Sequence, residues 1–204
     1  MRFSTFERTL ILFSLDFSDK KLREYANADL ADTLGNLLQR STNLKLNAKQ
    51  CSPPLDGRLK NARCEQWDRG QVAQELLQQL DELPDKVALN YGNGNFHLGI
   101  VDIMAVLHKN NKLFFEQEPW KLAKSGAEED VRRLQFVLGL TYETLRISSI
   151  LLSPIVPNCA ETIFAKLNIP ADRRSWKDCK LNSLADSQRT FSQDKLIVYE
   201  KISV

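Results

Sequence analysis

Leucine and its apolar neighbours recur every three to four residues along most of this chain, and proline or glycine punctuates the runs. This constrains the fold more than any other feature, because a 3.6-residue period suits a helix with one buried stripe. The first run spans 18–41. Ser18 or Asp19 supplies an N-cap, and Leu22, Tyr25, Ala26, Leu30, Leu34, Leu37 and Leu38 form the stripe. Gly35 inside it costs about 1 kcal/mol relative to alanine, which a close approach by another group would offset. A second run covers 69–91 on Val72, Leu76, Leu77, Leu80 and Leu83, and Pro84 predicts a kink or two shorter helices. After a Gly92–Asn95 turn, a third covers 96–117 on Ile100, Ile103, Met104, Leu107 and either Phe114 or Phe115, and Pro119 ends it. A fourth spans 127–152. Glu128, Glu129 and Asp130 suit its first turn, and Val131, Leu134, Val137, Leu138, Leu145 and Ile150 form its stripe. A short fifth, 158–167, follows Pro154 and Pro157 and stops before Pro170. The last apolar run, Leu196 to Tyr199, reads as a short strand or a strip packed back.

No alternation of strands and helices is present, which argues against a dinucleotide-binding fold. The expected fold is an all-α antiparallel helical bundle. Residues 18–167 form the helical domain, 1–17 a separate N-terminal segment, and 168–204 a tail packing on the bundle.

The 204 residues are 43% hydrophobic and 26% charged, enough for one sizeable core. Basic residues number 28 against 26 acidic, a net charge of +2. That excludes RNA binding by bulk positive charge and leaves recognition through a few well-placed groups. No apolar run reaches the roughly 18 residues of a membrane span, so no membrane partner is expected. Cys51, Cys64, Cys159 and Cys179 form no Cys-x-x-Cys pair, and His97 and His108 lie eleven apart. No metal site is expected, and the cysteines read as reduced thiols. Phosphate-loop, nucleophile-elbow and His-Glu-x-x-His motifs are all missing, and two histidines supply acid–base chemistry poorly. No catalytic residue is expected in this chain.

Two segments stay open. Between 42 and 68 the period dissolves around Pro53, Pro54 and Gly57, and Arg58, Lys60 and Arg63 make a locally basic stretch that reads as a solvated loop. Residues 1–17 carry Arg2, Arg8 and an apolar patch from Leu10 to Leu15. The patch is short for a secretory signal, and Glu7 and Asp16 weigh against a transit peptide. The third reading is a surface, Leu10 to Phe17, that packs on a catalytic domain or another protein partner.

Two groups of residues invite a binding role. Asn36 and Arg40 stand four apart, on one helix face about one turn from each other. An amide can pair with a base edge, and a guanidinium can stack on a base or grip a phosphate. An ordinary polar helix face has the same composition. The second group is the run from Asn111 to Trp120, Asn-Lys-Leu-Phe-Phe-Glu-Gln-Glu-Pro-Trp. Pro119 stops the helix and presents Trp120 just past its end, where an indole can stack on an unpaired base or else cap the core.

The ordered set Asn36-Leu-x-x-Arg40, Glu116-Gln117-x-Pro119-Trp120 and Leu122-Ala123-Lys124 resembles the C-terminal anticodon-binding domain of methionyl-tRNA synthetases. The stretch 25–37 is similar to that domain's first helix, and Leu151-Leu152-Ser153-Pro154-Ile155-Val156-Pro157 to its helix break. The short tail resembles the mitochondrial-type branch. The resemblance implies a class I synthetase-type helical bundle that binds methionine tRNA through its CAU anticodon. It implies reading roles for Asn36, Arg40 and Trp120, and supporting ones for Asn111 and Pro119. ATP and methionine would bind a catalytic domain that this chain does not contain, so no cofactor and no aminoacylation by the chain alone are expected. The location implied is the mitochondrial matrix, otherwise the cytoplasm. Two catalytic look-alikes do not change this. Phe96-His97-Leu98-Gly99-Ile100 resembles the His-x-Gly-His signature of these enzymes, but Ile100 replaces the second histidine and His97 reads as a surface residue near a helix start. Lys121-Leu122-Ala123-Lys124-Ser125 resembles their Lys-Met-Ser-Lys-Ser loop, but no nucleotide fold surrounds it. The competing reading is a helical protein-interaction module whose RNA-reading face is idle.

Overall fold

The computed structural model describes residues 18–53, 70–181, 189–194 and 196–203. The N-terminal patch Leu10–Phe17, the basic stretch with Arg58, Lys60 and Arg63, and Cys64 lie outside the described residues.

The expected all-α antiparallel bundle is what forms. Helix α1, Asp19–Ala26, begins on Ser18, whose hydroxyl accepts from the Lys21 N–H at 3.4 Å. The helix continues without a break through a π-wound stretch, Asn27–Gly35, into α2, Asn36–Ser41. Next come α3, Gly70–Gly92, and α4, Phe96–Glu116. They form a hairpin across a turn whose Gly94 adopts φ 76°. Bonds from Lys109 to Glu75 (2.7 Å) and from Asn90 to Asp102 (2.9 Å) fix their antiparallel register. α3 stays a single helix through Pro84, where two shorter helices were the alternative. An interior proline costs about 3 kcal/mol, and burial of Leu80, Leu83 and Val87 on both sides of it offsets that loss.

The corner after α4 departs from expectation. Pro119 does not only end a helix; it opens α5, Pro119–Ser125, as the first residue. Glu118 makes the bend in a left-handed conformation, φ 47° and ψ 54°. Next comes α6, Glu128–Leu152, the spine of the bundle, packed against α2, α3, α4, α5 and α7, Pro157–Lys166. Residues 137–152 are buried on every face of α6. Val131, counted into its stripe, is exposed instead, because the first turns of α6 overhang the core. Polar side chains inside the buried part bond backward: Thr141, Thr144 and Ser149 donate to the carbonyls of Val137, Leu140 and Leu145. Arg146, fully buried, holds Glu143 through two bonds of 2.9 and 2.7 Å and donates to the carbonyls of Asp178 and Lys180.

Ile169, Cys179, Phe191 and Val198 join the same core. The Leu196–Tyr199 run is not a strand; it is a strip laid along the first helix. Arg23 donates to the Ser203 carbonyl, Asn27 exchanges two bonds with Ile202, and Lys201 pairs with Asp32 at 2.7 Å. Cys159 and Cys179 are buried free thiols. Among the described residues no helix is long and apolar enough to cross a membrane.

Candidate RNA interface

The site is built from the end of the first helix, the last turn of α4 and the start of α5. In α2, Leu37 and Leu38 are almost completely buried against the core. Asn36, Gln39 and Arg40 therefore stand in solvent on the opposite side. The Asn36 amide lies 3.5 Å from Asp32, a long contact that leaves its donors and acceptor open to a ligand. Asp32 is engaged by Lys201 at 2.7 Å. Among the described residues no carboxylate pairs with Arg40.

The winding before Asn36 is unusual. The Asn36 N–H reaches back five residues to Ala31, and the Thr33 hydroxyl reaches five back to Ala28 at 2.9 Å. π-wound turns are rare and are frequent at functional sites. They had a sequence signal that a 3.6-residue reading passes over. Leu22, Ala26, Leu30, Leu34 and Leu38 stand four apart, four steps running. On an ideal α-helix those 16 residues drift by about 160°; wider turns keep them on one side. Gly35 belongs to this geometry. A Cβ there would lie 3.2 Å from the Leu30 carbonyl, five residues back, and 3.7 Å from the Val198 side chain. The tight neighbour of Gly35 is thus a carbonyl of its own wide turn, and the C-terminal strip lies at ordinary contact distance.

Asn111 ties the two halves of the site. Half-buried on α4, it donates to the carbonyls of Thr33 in the π-wound stretch and of Leu107 in its own helix, both at 3.3 Å. One turn further along α4, Phe115 is exposed while Phe114 fills the core. The Phe115 ring meets Trp120 at 5.9 Å between centroids, tilted by 58°. Pro119 is buried at the first position of α5, so Trp120 projects from the second with 37% of its surface exposed. Around this corner Arg133 donates to Gln117 at 2.6 Å, Lys121 pairs with Glu118 at 2.8 Å, and Lys112 and Lys124 are exposed.

Beside the site, Asp29 faces a shallow apolar groove lined by Tyr25, Leu30, Met104, Leu152 and Val156. Burial holds its carboxyl above the ordinary range, an effect opposed by His108 at 4.0 Å. His97, expected at the surface, is half-buried as the second residue of α4, because the Phe96 turn tucks under Tyr91 at a ring distance of 5.2 Å.

An arrangement of one exposed amide, one exposed guanidinium and two touching aromatic rings can hydrogen-bond a base edge, hold a phosphate and stack on base faces. It contains no nucleophile–base pair. Among the described residues no group of three or more His, Cys, Asp or Glu is placed to hold a metal ion.

No protein-family model matches the chain. It is similar to methionine–tRNA ligases, mitochondrial forms among them. Against the Mycobacterium tuberculosis ligase it is 35% identical over 160 residues, which cover 78% of this chain and 29% of that one. Against the probable mitochondrial ligase of Dictyostelium discoideum it is 33% identical over 162 residues, 78% of this chain and 27% of the other. The mitochondrial ligase of Xenopus laevis gives 33% over 167 residues, 79% and 28%. The chain thus spans less than a third of these relatives. Its fold superposes on the crystal structure of free Mycobacterium tuberculosis methionyl-tRNA synthetase with a TM-score of 0.78 at 27% identity, covering 92% of this chain and 35% of that one. The methionyl-adenylate complex of the same enzyme gives 0.73 and 28%, covering 90% and 34%. The helical bundle is therefore of the synthetase type expected.

Proposed function

We propose that this chain, whose similarity to methionine–tRNA ligases covers 78% of its length, is an anticodon-reading domain that binds methionine tRNA. One observation carries the reading. Asn36 and Arg40 stand exposed on the helix that Asn111 fastens to α4, and α4 leads through a pinned corner to exposed Trp120. Splayed loop bases would place a face on Trp120 and edges or phosphates on Asn36 and Arg40. Asn111 and Pro119 position these groups without touching RNA.

On this reading ATP and methionine bind outside the stretch described, and this chain contributes tRNA selection to methionyl-tRNA synthesis. The mitochondrial relatives support a place in the mitochondrial matrix; fractionation of cells expressing the tagged chain tests it, and a purely cytosolic signal rejects it.

The binding test compares the purified chain on methionine tRNA with its CAU anticodon and on the same tRNA with the anticodon exchanged, at one salt concentration. Tighter binding to CAU is the expected result. Equal affinity for both, or none, discards the anticodon-reading proposal.

A further inference from the structure

The two exposed rings at the corner between α4 and α5 carry the reading one step further. Single exposed apolar side chains, such as Leu44, Leu89 and Val101 here, are ordinary on a protein surface. Two exposed aromatic rings in contact across a helix corner are not. Phe115 leaves 60% of its surface in solvent although Phe114, its neighbour in sequence, supplies the core contact at 1% exposure. Phe115 sits one turn beyond Asn111 and meets Trp120 at 5.9 Å. Glu118 in its left-handed conformation and the buried Pro119 hold the corner, so the backbone that carries both rings is set before any ligand arrives.

We propose that Phe115 is a second base-stacking residue, which takes the unpaired base next to the one held by Trp120. The proposal rests on the RNA-binding reading above. A tilt of 58° makes the pair a step rather than a sandwich. Two successive bases of a bent loop present their faces at an angle, which a step accommodates and a single flat ring does not. Stacking needs no hydrogen bonds, so Phe115 would add affinity while Asn36 and Arg40 supply discrimination.

The test uses the full chain with Phe115→Ala, Phe115→Tyr and Trp120→Ala. The probes are anticodon stem–loop RNAs carrying the fluorescent base 2-aminopurine at one anticodon position at a time. Phe115→Ala should weaken binding about 5- to 100-fold, as loss of one stacked base does, with an unchanged melting temperature. Phe115→Tyr should bind like the parent. Quenching should vanish at one loop position in Phe115→Ala and at the adjacent position in Trp120→Ala. Parental binding by Phe115→Ala, with binding lost in Trp120→Ala, overturns the Phe115 proposal and leaves the RNA reading standing. Loss of quenching at the same position in both variants, or weaker binding together with a lowered melting temperature, also overturns it. Parental binding by both alanine variants rejects the proposal and the RNA reading together.

Discussion

Two arginines mark the opposite ends of what this bundle does. Arg146, in the middle of α6, is fully buried and engages Glu143 and two tail carbonyls. Arg40, at the end of the first helix, stands in solvent with no carboxylate partner among the described residues. α6 spends its buried polar groups on the fold: hydroxyls bond the preceding turn, and Arg146 joins Glu143 to the tail. The first helix gives Arg23, Asn27 and Asp32 to the C-terminal strip and leaves Gln39 and Arg40 in solvent beyond it. The difference teaches that charge in the core of this fold is structural, while the end of the first helix keeps a guanidinium exposed and available to a ligand.

The largest break in that contrast would come from Arg146→Met. Truncating Arg146 removes both of its hydrogen bonds to the buried Glu143 carboxylate and its bonds to two tail carbonyls, and the expected loss is about 3–5 kcal/mol in denaturant unfolding. Joint replacement by Glu143→Leu and Arg146→Met should recover only part of it, because buried Arg189 then loses the Glu143 charge and the Asp178 and Lys180 carbonyls lose their donor. Next in size is Arg40→Ala. Its stability should stay within about 0.5 kcal/mol of the parent, while tRNA affinity falls about tenfold, the order of one charge-assisted contact. If instead Arg40→Ala unfolds the domain, the two arginines do not differ as stated. Gly35→Ala tests whether the first helix is purely a display surface. The added methyl meets a backbone carbonyl at 3.2 Å, and a net cost of about 1 kcal/mol is expected after the gain in helix propensity. A more stable variant would mean that the wide winding is not required.

The smallest effect concerns Asp29. Burial raises its folded-state value above the ordinary 3.8, so folding favours the protonated form. That contribution is complete below the unfolded value and fades as pH rises through the higher folded one. Asp29→Asn should thus match the parent near pH 3 and exceed it slightly at pH 8. Equal stability at both pH values would show the carboxyl to be adequately solvated.

Periodicity made most of this legible. The four long helices follow from apolar spacing and from prolines that cannot continue a helix, and Ser18 caps where it was expected. Pro84 shows where local rules lose, because tertiary burial of Leu80 and Val87 outweighs one missing hydrogen bond. Pro119 was ambiguous for a different reason: the same residue that forbids one helix favours the start of the next. Asn36, Arg40 and Trp120 were visible as residue types at particular places, but no spacing rule could reveal that Asn111 joins their supports. That bond crosses 78 residues of chain. Phe115 escaped because only packing decides which of two adjacent phenylalanines faces out.

The π-wound stretch also has a mechanical consequence. It works as a ratchet between the cap at Ser18 and the display residues beyond Gly35. Removing one residue from 27–35 would return a turn towards α pitch, yet it would also rotate Asn36 and Arg40 by about 100° against everything upstream. The display face can therefore be re-aimed only in whole-residue steps, so substitutions there can loosen the head but not steer it. Steering it takes an insertion or a deletion.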